Sequence, residues 1–123
     1  MDFYCFDADT LSTFSVHSKD EYLGYGYALI DTVKVKVESL ESIFDEYAKE
    51  AHVDFISIDV EGYEMEVLKS NNWSKYKPTL IILESNGSSI NPNVVHEHIS
   101  FLEPLGYKLK YFNGLNSFFK LAD

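Results

Sequence analysis

The sequence is poor in the residues that several common kinds of functional site require. Its 123 residues contain one cysteine, Cys5, so an internal disulfide and a cysteine-based zinc site are both excluded. Neither the Gly-x-Ser-x-Gly turn of α/β-hydrolases nor the Gly-Lys-Ser/Thr end of a P-loop occurs. A nucleophilic hydrolase and a P-loop nucleotidase are therefore not supported.

Basic residues and long apolar runs are also scarce. Ten lysine plus arginine residues stand against 20 aspartate plus glutamate residues, which gives a formal net charge of −10. Because nucleic acid and anionic membrane surfaces attract basic patches, neither is expected as a partner. No apolar run approaches the ~20 residues that cross a bilayer, and residues 1–20 lack the pattern of a signal peptide. These absences predict a soluble, cytoplasmic protein.

Apolar and aromatic residues, in contrast, are plentiful. Hydrophobic residues make up 46% of the chain and include nine phenylalanines and nine tyrosines, which is enough for a packed core. The length predicts one domain, spanning residues 1–123.

Strand and helix patterns alternate along most of the chain. Strands are predicted at residues 2–6, 33–37, 54–60, 79–83, 107–112 and 117–121, and helices from Ser39 through Tyr47, at 63–70, and from Asn91-Pro92 to about Leu102. Residues 7–30 are predicted to be a loop with one helical turn. Alternation of this kind predicts an α/β fold whose sheet is mostly parallel, and Asn113-Gly114 predicts a terminal antiparallel hairpin.

Residues 55–69 are the most informative part of the chain. They read Phe-Ile-Ser-Ile-Asp-Val-Glu-Gly-Tyr-Glu-Met-Glu-Val-Leu-Lys, an apolar strand followed by a helix. The strand is predicted to be buried on both faces as far as Ile58, as in parallel sheets. Asp59 and Glu61 then lie at its carboxyl end, where ligands bind in open α/β sheets.

Asp59 is the first candidate for a functional side chain. A carboxylate at a strand end could orient an acceptor hydroxyl, accept its proton or hold a cation. The alternative is a cap for the following helix, and Glu61 could cap the same helix equally well. Glu64 is predicted to be a solvated helix residue.

Glu84 and Asn86 follow the next apolar strand, so both should emerge at the same edge of the sheet. Together with Asp59 they would offer three oxygen ligands, a plausible set for magnesium. The alternative is that they are turn residues before Gly87, and this interpretation is preferred, so no metal is assigned.

Histidines and tyrosines give weaker signals. His96 and His98 are two residues apart on a helix, so they point in different directions and cannot act as a pair of ligands for one ion. Both are interpreted as ordinary surface or core-edge residues. Tyr22, Tyr25 and Tyr27 could line an acceptor pocket or simply pack, and the sequence does not separate these alternatives.

Several stretches of the chain together resemble the FkbM family of S-adenosylmethionine-dependent methyltransferases. They are residues 35–44, 56–64, 67–69 and 78–84, and the most specific is Ile-Asp-Val-Glu-Gly-Tyr-Glu at 58–64. Phe3-Tyr4 and Leu11-Ser-Thr13 are similar to the stretch that precedes these motifs. The resemblance implies a Rossmann-like methyltransferase fold, S-adenosylmethionine as cofactor, and methyl transfer to a hydroxyl of a small-molecule or sugar-like acceptor. It supports Asp59, Glu61 and Glu84, in that order, as catalytic candidates.

The sequence departs from the family pattern at the cofactor motif. Members have a glycine-rich strand–turn–helix, whereas the only Gly-x-Gly here is Gly24-Tyr-Gly26, which lacks a third glycine and a preceding strand. The chain therefore resembles a C-terminal portion of the family, a partial domain expected to be inactive alone. An apolar edge of the strand at 54–60 should then lie open or be covered by a partner chain or a second copy. The alternative function is a non-catalytic interaction module that pairs through that edge.

Overall fold

The computed structural model describes residues 1–8, 11–86 and 93–123. Its elements are β1 (Asp2–Phe6), α1 (Val16–Gly24), β2 (Leu29–Lys34), α2 (Leu40–Tyr47), β3 (Phe55–Ile58), α3 (Glu64–Lys69), β4 (Leu80–Glu84), α4 (Val94–Leu102), a 3₁₀ turn (Glu103–Leu105), β5 (Tyr107–Phe112) and β6 (Asn116–Leu121). The predicted mixture of helices and strands is confirmed, and no helix among these residues is long and apolar enough to cross a membrane.

Four strands form the main sheet, in the order β3-β4-β6-β5. β3 and β4 are parallel, with Phe55 opposite Leu80, and α3 lies between them in the chain. β6 runs antiparallel to both of its neighbours, with Glu84 of β4 opposite Asn116. The prediction of a mostly parallel sheet is therefore wrong for the described strands, since β3 and β4 form the one parallel pair among them.

The remaining two strands, β1 and β2, pair antiparallel with each other in a separate sheet. The prediction of a strand at residues 33–37 with one buried face is wrong: the strand is Leu29–Lys34 and every residue of it is exposed. Alternating valines bury one face only where another layer covers it, and no described element covers β2 in this way. Val35 and Val37, which lie beyond the strand, are exposed too.

Helix α1 was not predicted, because residues 7–30 were interpreted as mostly loop. Ser15 caps the helix, its Oγ accepting a hydrogen bond from the backbone N–H of Ser18 at 3.1 Å. None of the residues in this helix is buried, so it carries no apolar stripe for the sequence to reveal.

The core lies between α3, α4 and one face of the main sheet. Its buried residues are Ile58, Leu68, Trp73, Ile81, Leu83, Leu102, Tyr107 and Phe119, and Met65 packs against them. The predicted inward positions of Met65 and Leu68 are thus confirmed. The Trp73 indole donates a hydrogen bond to the carbonyl oxygen of Leu68 at 2.8 Å and so joins the end of α3 to this core.

Strand β3 occupies the edge of the main sheet, and its burial differs from the prediction. Phe55 is 60% exposed and Ser57 is exposed, whereas Ile58 is buried. The expectation of a strand buried on both faces is wrong, because only one face meets the helices. Among the described residues β4 is the one strand that pairs with β3, so no described strand covers the other edge of β3. Whether that edge lies open or is covered by a partner chain or a second copy stays a prediction.

The other predicted ends and turns are mostly in place. Ser39 caps α2, accepting from the N–H of Ser42 at 3.1 Å. The hairpin between β5 and β6 turns at Asn113-Gly114, where Gly114 has φ +90°. Helix α4 follows Asn93, and the predicted cap at Asn91-Pro92 lies outside the described residues.

Candidate active site at the carboxyl ends of β3 and β4

A left-handed turn links β3 to α3 and presents the acidic side chains of the informative segment. Glu61 has φ +51° and Gly62 has φ +99°, a region that favours glycine and is uncommon for glutamate. The hydroxyl of buried Thr13 donates to the carbonyl oxygen of Glu61 at 2.5 Å, which fixes the turn from the side of β1. Because of this turn, Asp59 and Glu61 lie at the end of the strand and are not part of the helix that follows.

Three predicted carboxylates converge at this edge of the sheet. One oxygen from each of Asp59, Glu61 and Glu84 lies within 4.8 Å of the others. Asp59 is exposed, while Glu61 and Glu84 are partly buried. The parallel pairing of β3 and β4 explains the grouping, because the carboxyl ends of parallel strands meet at one edge. Three such oxygens are ligands of the type that magnesium and calcium prefer.

The crowding of like charges changes the acidity of Glu84. Its hydrogen bond with the Asp59 carboxyl, then burial, then the negative charges of Asp59, Glu61 and Glu64 raise the pKa of Glu84 to about 8. Two ionised carboxylates cannot hydrogen-bond, so this contact requires a proton on one of the pair. The buried Oε2 of Glu84 has no hydrogen-bond partner among the described residues. At neutral pH the cluster therefore retains a proton.

Glu64 has a structural role that the sequence interpretation missed. It was predicted to be solvated, but it is only 4% exposed, and its Oε1 accepts hydrogen bonds from the backbone N–H of Val60 at 3.0 Å and of Gly62 at 3.4 Å. Burial raises its pKa, while these backbone bonds oppose the shift. A glutamate that follows a Gly-turn at a helix start is the signal that could have indicated this reach-back contact.

The same geometry decides the alternative role of Asp59. The N-cap residue of α3 is Tyr63, and it makes no side-chain cap bond. Glu64 instead satisfies backbone N–H groups of the turn. Capping of α3 therefore gives no reason for carboxylates at 59 and 61. Burial first, then the charges of Asp59 and Glu64, raise the pKa of Glu61.

One tyrosine of the early cluster approaches these acids. Tyr22 packs edge-on against Phe6 at a centroid distance of 5.4 Å, and burial first, then the charge of Glu61, raises the pKa of its hydroxyl. Tyr25 and Tyr27 are exposed. The predicted aromatic cluster thus contributes Tyr22 alone to the surroundings of the site.

Behind the end of β4 lies a buried histidine that was predicted to be an ordinary one. His98 of α4 is fully buried, and its Nδ1 is 2.7 Å from the hydroxyl of Ser85, the residue after Glu84. Burial lowers the pKa of His98, and its Nε2 has no hydrogen-bond partner among the described residues. The neutral imidazole holds the carboxyl end of β4 in place, whereas His96 is exposed.

The family follows from comparison with known domains. A model of the methyltransferase FkbM domain matches residues 4–109 of the 123. The chain belongs to the FkbM methyltransferase family. Comparison with curated proteins and with solved structures gives no significant match. The family match begins within β1 and ends halfway along β5, and it includes the three converging carboxylates.

FkbM methyltransferases imply S-adenosylmethionine, and the described residues do not form a cradle for it. Gly24 ends α1, and Gly26 lies in the turn that follows with φ +89°. A Cβ added at either glycine would meet no atom within 4 Å, so packing within the described residues does not require a glycine at either position. The described residues therefore supply an acidic edge, but no glycine-rich strand–turn–helix for the nucleoside.

Proposed function

We propose that this FkbM family chain serves S-adenosylmethionine-dependent methyl transfer to a hydroxyl of a small-molecule or sugar-like acceptor. The observation that carries the proposal is the convergence of Asp59, Glu61 and Glu84 at the carboxyl ends of β3 and β4. The parallel β3–α3–β4 unit and the terminal hairpin support the finer inference of a Rossmann-like methyltransferase architecture. The cytoplasmic compartment stays a prediction.

In the proposed chemistry, Asp59 accepts the proton that the acceptor hydroxyl loses as its oxygen becomes methylated. Asp59 suits this role because it is the exposed member of the cluster and can reach an incoming hydroxyl. Protonated Glu84 donates a hydrogen bond to Asp59 and so orients its carboxylate. The negative charge of Glu61 also raises the pKa of Glu84 and so favours its protonated form.

The role of Asp59 is tested in a longer FkbM member whose acceptor can be assayed. Replacing the aspartate that corresponds to Asp59 by asparagine should lower kcat by roughly 10²–10⁴-fold, the usual contribution of a general base. The matched control is glutamine at the position of Glu66, an exposed glutamate on α3. Full activity of the asparagine variant would refute the assignment.

The chain itself is tested by calorimetric titration with S-adenosylmethionine. Because the described residues form no nucleoside cradle, we propose that the isolated chain is inactive and expect no measurable binding. Binding at micromolar concentration would overturn this part of the proposal and show that the chain builds a cofactor site by itself.

An interaction module is the second candidate, and the open edge of β3 favours it. Phe55 is 60% exposed on a short edge strand, which is the arrangement that pairs with another chain. A module of this kind should form a concentration-dependent complex or dimer by light scattering. Phe55→Lys should abolish it, while Tyr47→Lys, at an exposed position of α2, should not. A monomer at all concentrations would exclude self-pairing through β3.

A further inference from the structure

We propose that the lysines of the β5–β6 hairpin form a binding site for a phosphoryl group. The site consists of Lys108, Lys110 and Lys120, which we call the hairpin lysines. All of them are exposed and line one cavity of about 220 Å³ together with Leu121, Ala122 and Asp123. At ~30 Å³ per water, this volume accommodates a phosphate and several water molecules.

The strand register places like charges against each other at this point. Lys108 is directly opposite Lys120, and Lys110 lies at the register shift between Leu109 and Tyr111. Like charges directly opposite on antiparallel strands destabilise the pair. An anion held between the lysines would remove this cost, which explains why the hairpin tolerates the arrangement.

The hairpin lysines also lack the carboxylate counter-ions that four of the other seven lysines have. Lys19, Lys34, Lys36 and Lys75 each form an ion pair, whereas no carboxylate oxygen among the described residues lies within 4.0 Å of a hairpin lysine. Asp123 lines the same cavity without reaching that distance. In a chain of net charge −10, three lysines that line one cavity without an ion pair concentrate positive charge at that place.

The size and chemistry of the cavity favour a compact anion over a long polyanion. All ten cationic residues of the chain are lysines, which bind phosphate as point charges. An extended nucleic acid would also have to contact the protein surface beyond the hairpin lysines. The negative net charge of the chain would repel it there. A single phosphoryl or diphosphoryl group needs only the hairpin lysines.

This site is separate from the acidic cluster. Glu84 is opposite Asn116 at one end of β6, and Leu80 is opposite Lys120 near the other end. Four residues of strand span about 13 Å, so the phosphoryl site lies across the sheet from the proposed methyl-transfer site. It does not rest on the proposed function, and either can fail alone.

The test is calorimetric titration of the full chain with inorganic pyrophosphate, with sodium chloride of equal ionic strength as the blank. Lys108→Gln and Lys120→Gln should each weaken binding by about tenfold. Lys69→Gln on α3 removes the same charge elsewhere and should change binding less than twofold. Asp123→Asn should tighten binding, because it removes the competing carboxylate.

A charge reversal separates binding from folding. Lys108→Glu pairs with Lys120 across the hairpin, so it should raise the thermal midpoint without pyrophosphate and abolish binding. Vesicles containing phosphatidate identify the source of the group: binding to them but not to pyrophosphate assigns a lipid headgroup. No binding to either, or equal weakening by Lys69→Gln and Lys120→Gln, would overturn the proposal.

Discussion

Among individual side chains, Glu84 couples the acidic cluster to pH most directly. Its pKa rises from an ordinary value of 4.5 to about 8, first through the hydrogen bond with Asp59. Between those pH values the folded state holds a proton that the unfolded state has released. The free energy of unfolding should therefore fall as pH rises from about 4.5 to 8.

Glu84→Gln should remove this pH dependence, because the amide keeps the neutral form at every pH. Relative to the unaltered chain, the variant should gain stability steadily from pH 5 to pH 8, measured by urea unfolding. Glu66→Gln, on the exposed side of α3, is the control and should follow the unaltered profile. Parallel profiles for Glu84→Gln would show that Glu84 does not hold the shared proton.

The site residues differ in how far the sequence could reveal them. Asp59, Glu61 and Glu84 were predicted correctly as neighbours, because each ends an apolar strand or follows it directly. Glu64 and His98 were missed, because a charged or titratable residue on a short helix is usually solvated. Their burial depends on the left-handed turn and on contact with Ser85, which come from tertiary packing.

The turn between β3 and α3 is the element on which the acidic cluster depends. Gly62 has φ +99°, so Gly62→Ala should cost about 1–2 kcal/mol of stability from the left-handed backbone alone. The added Cβ has ordinary contacts with Ser18 Oγ at 3.5 Å and Ser15 Cβ at 3.6 Å, so crowding adds little. Chemical unfolding measures the loss.

Gly24→Ala is the matched control for this substitution. Gly24 is the last residue of α1, lacks a positive φ and leaves open space for a Cβ, so alanine there should be neutral or slightly stabilising. Equal effects at both glycines would contradict a special backbone requirement at 62.

Strands and helices were predictable where a local signal and packing agree. The hairpin at Asn113-Gly114, the Ser39 cap and the α3 stripe were correct, since turn chemistry and apolar period specify them locally. β2 and α1 were not, because β2 is exposed throughout, α1 has no fully buried residue, and their apolar residues indicate no single face. The prediction that further strands pair in parallel was wrong, because the choice of pairing partner depends on the tertiary fold and not on the local sequence of a strand.

Taken as a whole, the molecule contains two sheets whose contact lies beside the acidic cluster. Thr13 is fully buried, bridges to Tyr4 of β1, and donates through its hydroxyl to the carbonyl oxygen of Glu61. The same hydroxyl accepts from the N–H of Ser15 at 3.0 Å. One side chain thus connects the β1–β2 sheet to the turn that carries Asp59 and Glu61.

Thr13→Val should therefore loosen the first sheet more than the second. The isosteric change leaves two partly buried backbone groups, the Ser15 N–H and the Glu61 carbonyl, without this partner, at a cost of at most about 1–3 kcal/mol each. Hydrogen exchange should accelerate in β1 and β2, while β4 and β6 keep their protection, because a two-stranded sheet is marginal without support. Thr32→Val on exposed β2 is the control. Equal acceleration in both sheets would show that they unfold as one unit, with Thr13 contributing only to global stability.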